Sequence, residues 1–334
     1  MFAKHRIVFG AAVGLVFLAL PPFMAASAQS SRSTRDPRPR GTDNRGDDSQ
    51  QRADTTFAIE RGATLDVSAI SASIVVRGWS RSEMQIRGGT VGLRVTNASR
   101  TVRVEMRNNG RGHDDDNLEL IVPRGTRVLV NSRQGDVKIL DVGGAVDATM
   151  ISGDVTITGS AERSDVSVAS GDVHVTNADG PVHIDAISGD ISLDDIRGDV
   201  EVSATSSGVT MRRVTAARVS TQLVSGDVSF DGPLASNGRY EFVTHAGDVR
   251  LYLPDGSKGG LEVQTFNGEV HTDIPMTTTS GAARPELQSS RKGSRPSGSR
   301  GPQRFEFGGG GSAQIVISTF TGDVHLARGP RRSN

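Results

Sequence analysis

Carboxylates recur in this sequence at one fixed place in a short phrase. Asp136, Asp154, Asp172, Asp190, Asp227, Asp248 and Asp323 follow Gly135, Gly153, Gly171, Gly189, Gly226, Gly247 and Gly322, and Glu269 follows Gly268 in the same way. Val or Ile comes next in every copy, and Ser precedes the glycine at 152, 170, 188 and 225. A column of acids offers oxygen ligands to a hard cation such as Ca²⁺, and like charges placed side by side need some compensation. Asp154, Asp172 and Asp190 are the weak calcium candidates in the regular part of the chain. Asp114, Asp115 and Asp116, which follow His113, form the densest acid run and are a second weak candidate. A plainer use competes with both. Glycine supplies a positive φ for a tight turn, and Asp accepts a hydrogen bond from a nearby backbone N–H. The turn alone accounts for the Gly-Asp pair, and the Gly-Gly-x-Gly-x-Asp phrase of calcium-binding nonapeptide repeats is absent. The expectation is therefore a structural turn motif with no cofactor, calcium being the one ion considered.

Histidine is the next residue type able to do chemistry. His174, His271 and His325 occupy the slot after the valine of the phrase, and His183 holds the equivalent slot half a repeat later. Imidazoles on one face can bind a metal. The sequence reading pairs only His174 with His183 for such a site and assigns no supporting carboxylate to them. Signatures of catalysis are missing: there is no Gly-x-Ser-x-Gly, no phosphate-binding loop, no His-Glu-x-x-His and no cysteine. Paired carboxylates for glycoside cleavage stay open as an alternative, because many acids would share one face.

These residues need a scaffold that repeats with them. From Gly135 through 153, 171, 189, 208 and 226, the glycine steps are 18, 18, 18, 19 and 18. So short a period means stacked β units. Within it, Val155/Ile157, Val173/Val175, Val182/Ile184, Ile191/Leu193, Val200/Val202 and Val228/Phe230 alternate with polar residues, the period-two pattern of a strand. Half-step glycines at 144, 180 and 198 divide each period. The fold expected is all-β: a repetitive β-solenoid with two short strands per rung of about 18 residues, stacked in parallel. The alternative is a two-sheet antiparallel β-sandwich. Aromatics crowd the C-terminal third (Phe230, Tyr240, Phe242, Tyr252, Phe266, Phe305, Phe307, Phe320), and the expectation is that they plug the end of the core.

The ends and the composition bound the rest. Residues 1–28 have a basic head, an apolar middle from Ile7 to Leu20 and the small residues Ala26-Ser27-Ala28, which is the layout of a secretory signal peptide. No transmembrane span is expected after its removal. Residues 29–55 are polar and read as a disordered linker. The solenoid is expected over 56–326. A disordered basic insert at 277–304 interrupts it, carrying Arg284, Arg291, Lys292, Arg295, Arg300 and Arg304 against Glu286, and a flexible tail follows at 327–334. Basic and acidic residues balance at 38 each, so the chain lacks the broad positive field of a nucleic-acid partner.

The four Ser-Gly-Asp-Val/Ile phrases, Gly78-Trp79-Ser80-Arg81-Ser82-Glu83 and the stretch Leu118–Pro123 together resemble the bacterial putative adhesins with β-strand repeats, a family classed as a domain of unknown function. The resemblance covers about residues 56–326. It implies surface or envelope association and carries no catalytic residues over. The function expected is an exported, non-enzymatic, adhesin-like or envelope-associated protein, periplasmic, surface-bound or secreted, whose partner is an envelope polymer, a glycan or another protein. Two alternatives stand beside it: a polysaccharide-active enzyme on a β-helix scaffold, and a self-assembling envelope scaffold.

Overall fold

Alternation of apolar and polar residues makes strand of nearly every segment that the structure, a computed structural model, describes: residues 55–88, 93–98, 100–106, 117–278 and 302–329. Residues 1–54 (the signal segment among them), 89–92, 99, 107–116 (Asp114–Asp116 among them), 279–301 and 330–334 lie outside the described residues.

The regular rungs run from residue 127 to 253. Each pairs a longer strand with a shorter one: β8 (Arg127–Gln134) with β9 (Val137–Leu140), β10 (Val146–Ser152) with β11 (Val155–Thr158), β12 (Ser164–Ser170) with β13 (Val173–Ala178), and β14 (Val182–Ser188) with β15 (Ile191–Ile196). The pattern continues through β16 (Val200–Ser206) and β17 (Val209–Arg212), β18 (Arg218–Ser225) and β19 (Val228–Asp231), then β20 (Arg239–Ala246) and β21 (Val249–Leu253). Even-numbered strands stack in one sheet, called B here, and odd-numbered ones in the other, sheet A. Every neighbour within this stretch is parallel and in register, as in Val155↔Val173↔Ile191. This is the solenoid expected from the period; the antiparallel sandwich does not occur.

The core lies between the two sheets. One inner column runs Ile157, Val175, Leu193, Met211, Phe230, Leu251, and none of these is more than 1% exposed. Fully burying one such side chain is worth about 1.5–3 kcal/mol, so each rung is held mainly by its apolar contacts above and below.

The ends depart from simple stacking. The N-terminal strands are β1 (Thr55–Ala58), β2 (Thr64–Ser71), β3 (Ser73–Trp79), β4 (Glu83–Gly88), β5 (Leu93–Ala98), β6 (Thr101–Met106) and β7 (Asn117–Pro123). The rung β2–β3 packs directly on β8–β9, while β6 and β7 lie outside it. Strands β1, β4 and β5 then close this end in antiparallel pairs. The C-terminal strands are β22 (Gly259–Asn267), β23 (Val270–Thr272), β24 (Met276–Thr278), β25 (Gln303–Phe307), β26 (Gln314–Thr321) and β27 (Val324–Arg328). Here β26–β27, later in sequence, slips between β20–β21 and β22–β23. The glycine column therefore reads Gly247, Gly322, Gly268 in space.

Boundaries shift accordingly. Thr277–Thr278 and Gln303–Arg304 belong to the antiparallel pair β24–β25, so both ends of the expected insert are strand. The last strand runs through Arg328, past the expected limit of 326. The aromatics divide: Phe230, Tyr240, Phe242 and Phe307 are buried, whereas Phe266 and Phe320 stand 61% and 46% exposed. Their slot, two residues before the phrase glycine, faces outward from sheet B, so they cannot plug the core. Among the described residues no helix is long and apolar enough to cross a membrane.

Candidate functional site

The repeated acids lie in one column at the turn from sheet B to sheet A. Each aspartate of the column accepts a hydrogen bond from the backbone of the next rung. Asp154 N–H donates to Asp136 Oδ1 (3.2 Å), Asp172 to Asp154 (2.8 Å), Asp190 to Asp172 (2.8 Å) and Gly208 to Asp190 (3.2 Å). After this break Asp248 N–H donates to Asp227 (2.9 Å), Asp323 to Asp248 (2.9 Å) and Glu269 to Asp323 (2.8 Å). The nearby backbone N–H expected from the sequence is thus that of the adjacent rung, and the turn chemistry joins rungs. Gly208 stands in the acid slot and buried Ser207 in the glycine slot, so the carboxylate column falls into two separate runs. The glycines are needed for a second reason. At Gly171 φ is +137°, and a Cβ there would meet Gly153 O at 2.0 Å.

Arg250 compensates part of the second run, reaching Asp227 at 2.9 Å and Asp248 at 2.8 Å. Burial pushes the Asp227 carboxyl up, but the Asp248 N–H and the Arg250 guanidinium outweigh it and hold it below the usual carboxylate value of 3.8. Asp154, Asp172 and Asp190, the calcium candidates, each spend Oδ1 on the neighbouring rung. Asp114–Asp116 lie outside the described residues.

The opposite turn carries a column the sequence reading missed. Asp141, Gly159, Asn177, Asp195 and Arg213 all have φ between 53° and 71°. They lie 18 residues apart, but their types differ too much to announce the pattern. The left-handed backbone at Arg213 is disfavoured for such a side chain. Its guanidinium is held there by Asp195, with contacts of 2.6 and 2.7 Å.

The outer face of sheet B has the most continuous patterning. Two residues before each phrase glycine (or its stand-in) come Ile70, Arg133, Ile151, Ala169, Ile187, Thr205, Val224, His245, Phe320 and Phe266, adjacent in that order by strand register. Six of the seven large hydrophobic side chains that stand exposed among the described residues belong to this one column. At its C-terminal end the rings of His245, Phe320 and Phe266 stack, with centroids 4.7 and 4.8 Å apart. Beside it runs a polar column: Ser68, Asn131, Thr149, Ser167, Asp185, Ser203 and Gln222. Between them Thr149, Ser167, Ile187, Thr205 and Gln222 help line a depression of about 680 Å³.

Histidine placement also departs from the sequence reading. His174 is on sheet A and His183 on sheet B, so they share no face. His183 instead contacts Asp185 (3.1 Å) and Glu201 (3.5 Å). His271 and His325 become neighbours because β27 lies beside β23, and their rings stack at 4.9 Å. The sequence reading, which paired only His174 with His183, missed this pair.

Two parallel sheets, ladders of turn residues and capped ends define a β-solenoid repeat protein whose outer sheet face is its most extended patterned surface. The chain belongs to the Toastrack DUF4097 family, whose model matches residues 68–297. It is similar to two solved structures. A putative cell adhesion protein from Clostridium sporogenes ATCC 15579 aligns with 83% of this chain and 100% of its own, at 6% identity and a TM-score of 0.20. A putative adhesin from Bacteroides fragilis NCTC 9343 aligns with 83% and 98%, at 10% identity and a TM-score of 0.36. No curated protein matches the chain.

Proposed function

We propose that this is an exported, non-enzymatic binding protein of the cell envelope, and that an extended hydroxyl-rich polymer, a glycan, lies along the outer face of sheet B. One observation carries the reading: the exposed apolar column from Ile70 to Phe266 gathers nearly all the solvent-facing large hydrophobics of the described residues. Soluble proteins seldom leave such a stripe open without a use. The polar column beside it fits the ligand class. Its Ser, Thr, Asn and Gln side chains donate and accept uncharged hydrogen bonds, as sugar hydroxyls do, while aliphatic side chains fit the C–H faces of sugar rings. The periodicity of both columns suits a chain molecule better than a compact one. The non-enzymatic part rests on the aspartates of the turn column, each of which gives Oδ1 to a backbone N–H of the next rung. Export rests on the signal-like residues 1–28.

The test is a binding screen of the purified exported protein against a glycan array and isolated envelope fractions, with and without Ca²⁺ and at two salt concentrations. Saturable binding to one polymer is expected. It should weaken at least about tenfold, roughly 1.4 kcal/mol, in the double variant Ile151→Lys/Ile187→Lys, with an unchanged thermal midpoint. Binding that ignores this variant but disappears at high salt assigns recognition to the basic insert instead. New reducing ends or unsaturated sugars would overturn the non-enzymatic reading. Absence of binding throughout would overturn the glycan and turn attention to a protein partner, sought by cross-linking.

A further inference from the structure

The pairing of β23 with β27 at the C-terminal end forms a constellation found at one place among the described residues. His271 on β23, His325 on β27 and Asp323 in the turn before β27 bring ligand atoms within 4.8 Å of one another. Glu269 stands against them, its Oε2 3.7 Å from His271 Nε2. The same outward slot on earlier rungs holds Lys138, Thr156, His174, Ser192, Thr210 and Ser229, so two imidazoles meet only at this end. We propose that His271, His325 and Asp323, with Glu269 as a fourth ligand, bind a transition-metal ion of the zinc class.

The donor set selects the ion. Two imidazole nitrogens and carboxylate oxygens suit Zn²⁺, whereas Ca²⁺ takes oxygen ligands. The carboxylate is already oriented, since Asp323 Oδ1 accepts the Glu269 N–H at 2.8 Å. Such outer hydrogen bonds hold a ligand in place. Arg250 on β21 is in register with His325, and its guanidinium is tied to Asp227 and Asp248. Zn–N bonds of about 2.0–2.1 Å set tetrahedral ligand atoms about 3.3 Å apart. Binding therefore draws the side chains together by rotation, which the exposure of His271 permits. The ion would bridge the three-residue edge strand β23 to β27.

Titration of the full protein with ZnCl₂, followed by calorimetry, tests this. One saturable Zn²⁺ per chain is expected, with affinity at least about tenfold weaker in His271→Ala and in His325→Ala. His174→Ala and His183→Ala should bind as the parent does. A millimolar excess of Ca²⁺ should not compete. Because His271 is exposed, its variant keeps the fold, which an unchanged strand-type circular dichroism spectrum verifies. Absence of saturable binding, binding that survives the double variant His271→Ala/His325→Ala, or equal competition by Ca²⁺ would overturn the assignment.

Discussion

Thr221 shows how sharply the core discriminates at single positions. It sits in the inner column of sheet B between Val202 and Phe242, fully buried, and its hydroxyl finds no hydrogen-bond partner. A buried polar atom left unpaired costs about 1–3 kcal/mol. Thr221→Val keeps the branched shape and removes that atom, so it should raise stability by about 1 kcal/mol, read as a higher urea midpoint with an unchanged slope. Tyr240 is the contrasting case. Its hydroxyl donates to Ala216 O and accepts from Ala235 N, both at 2.8 Å, so the polar group is satisfied inside the core. Asp227 supplies a pH-dependent term. Its folded pKa lies below 3.8, so its contribution is fully present above that value and is lost as pH falls through the folded one. The stability gap between the parent and Asp227→Asn should be constant from pH 5 to 8 and shrink in stronger acid. Its exposed side chain makes that gap small.

At the level of the element, the turn column explains why the phrase repeats so faithfully. Glycine is fixed by close approach to the rung below, and the acid by the N–H of the rung above. The ladder needs the acceptor oxygen more than the charge. Asp172→Asn should therefore leave stability within about 0.5 kcal/mol, while Asp172→Ala should lose about 1 kcal/mol by stranding the Asp190 N–H; thermal melts of the two variants separate these outcomes. Strand, turn and inward-facing residues were legible because alternation and an 18-residue step are local signals. The left-handed column from Asp141 to Arg213 was not, because its conformation is shared by residues as different as Gly and Arg. The apolar stripe was written in sequence as Ile151, Ile187 and Val224, each two residues before the phrase glycine. Phe266 and Phe320 occupy that very slot, yet size alone suggested a core role for them. His271 and His325 were visible as residues but not as a pair, because 54 residues of chain separate Gly268 from Gly322 and hide that their rungs are consecutive.

The whole stack is closed by its own interior segments. At one end β2–β3 is covered by β6 and β7 with their antiparallel partners, and at the other β26–β27 is covered by β22–β25. An open sheet edge invites pairing with other chains, and these coverings leave short or antiparallel edges in its place. That arrangement speaks against end-to-end growth of a filament. It also predicts an unusual protection profile. Amides of β26 and β27 should exchange more slowly than those of β23 and β24, although they lie nearer the end of the chain. Hydrogen exchange with mass spectrometry reads this directly, and faster exchange of β26 would contradict the nested order.

Because both ends are fixed by these crossovers, the chain can change length only in its middle. A copy of residues 153–170 inserted after Ser170 would add one more rung with the same register, the same turn and one more step of each outer column. The caps would not be touched. The molecule is in this sense a ruler whose graduations can be multiplied, and the span of polymer it could grip would be set by gene duplication rather than by redesign of any contact.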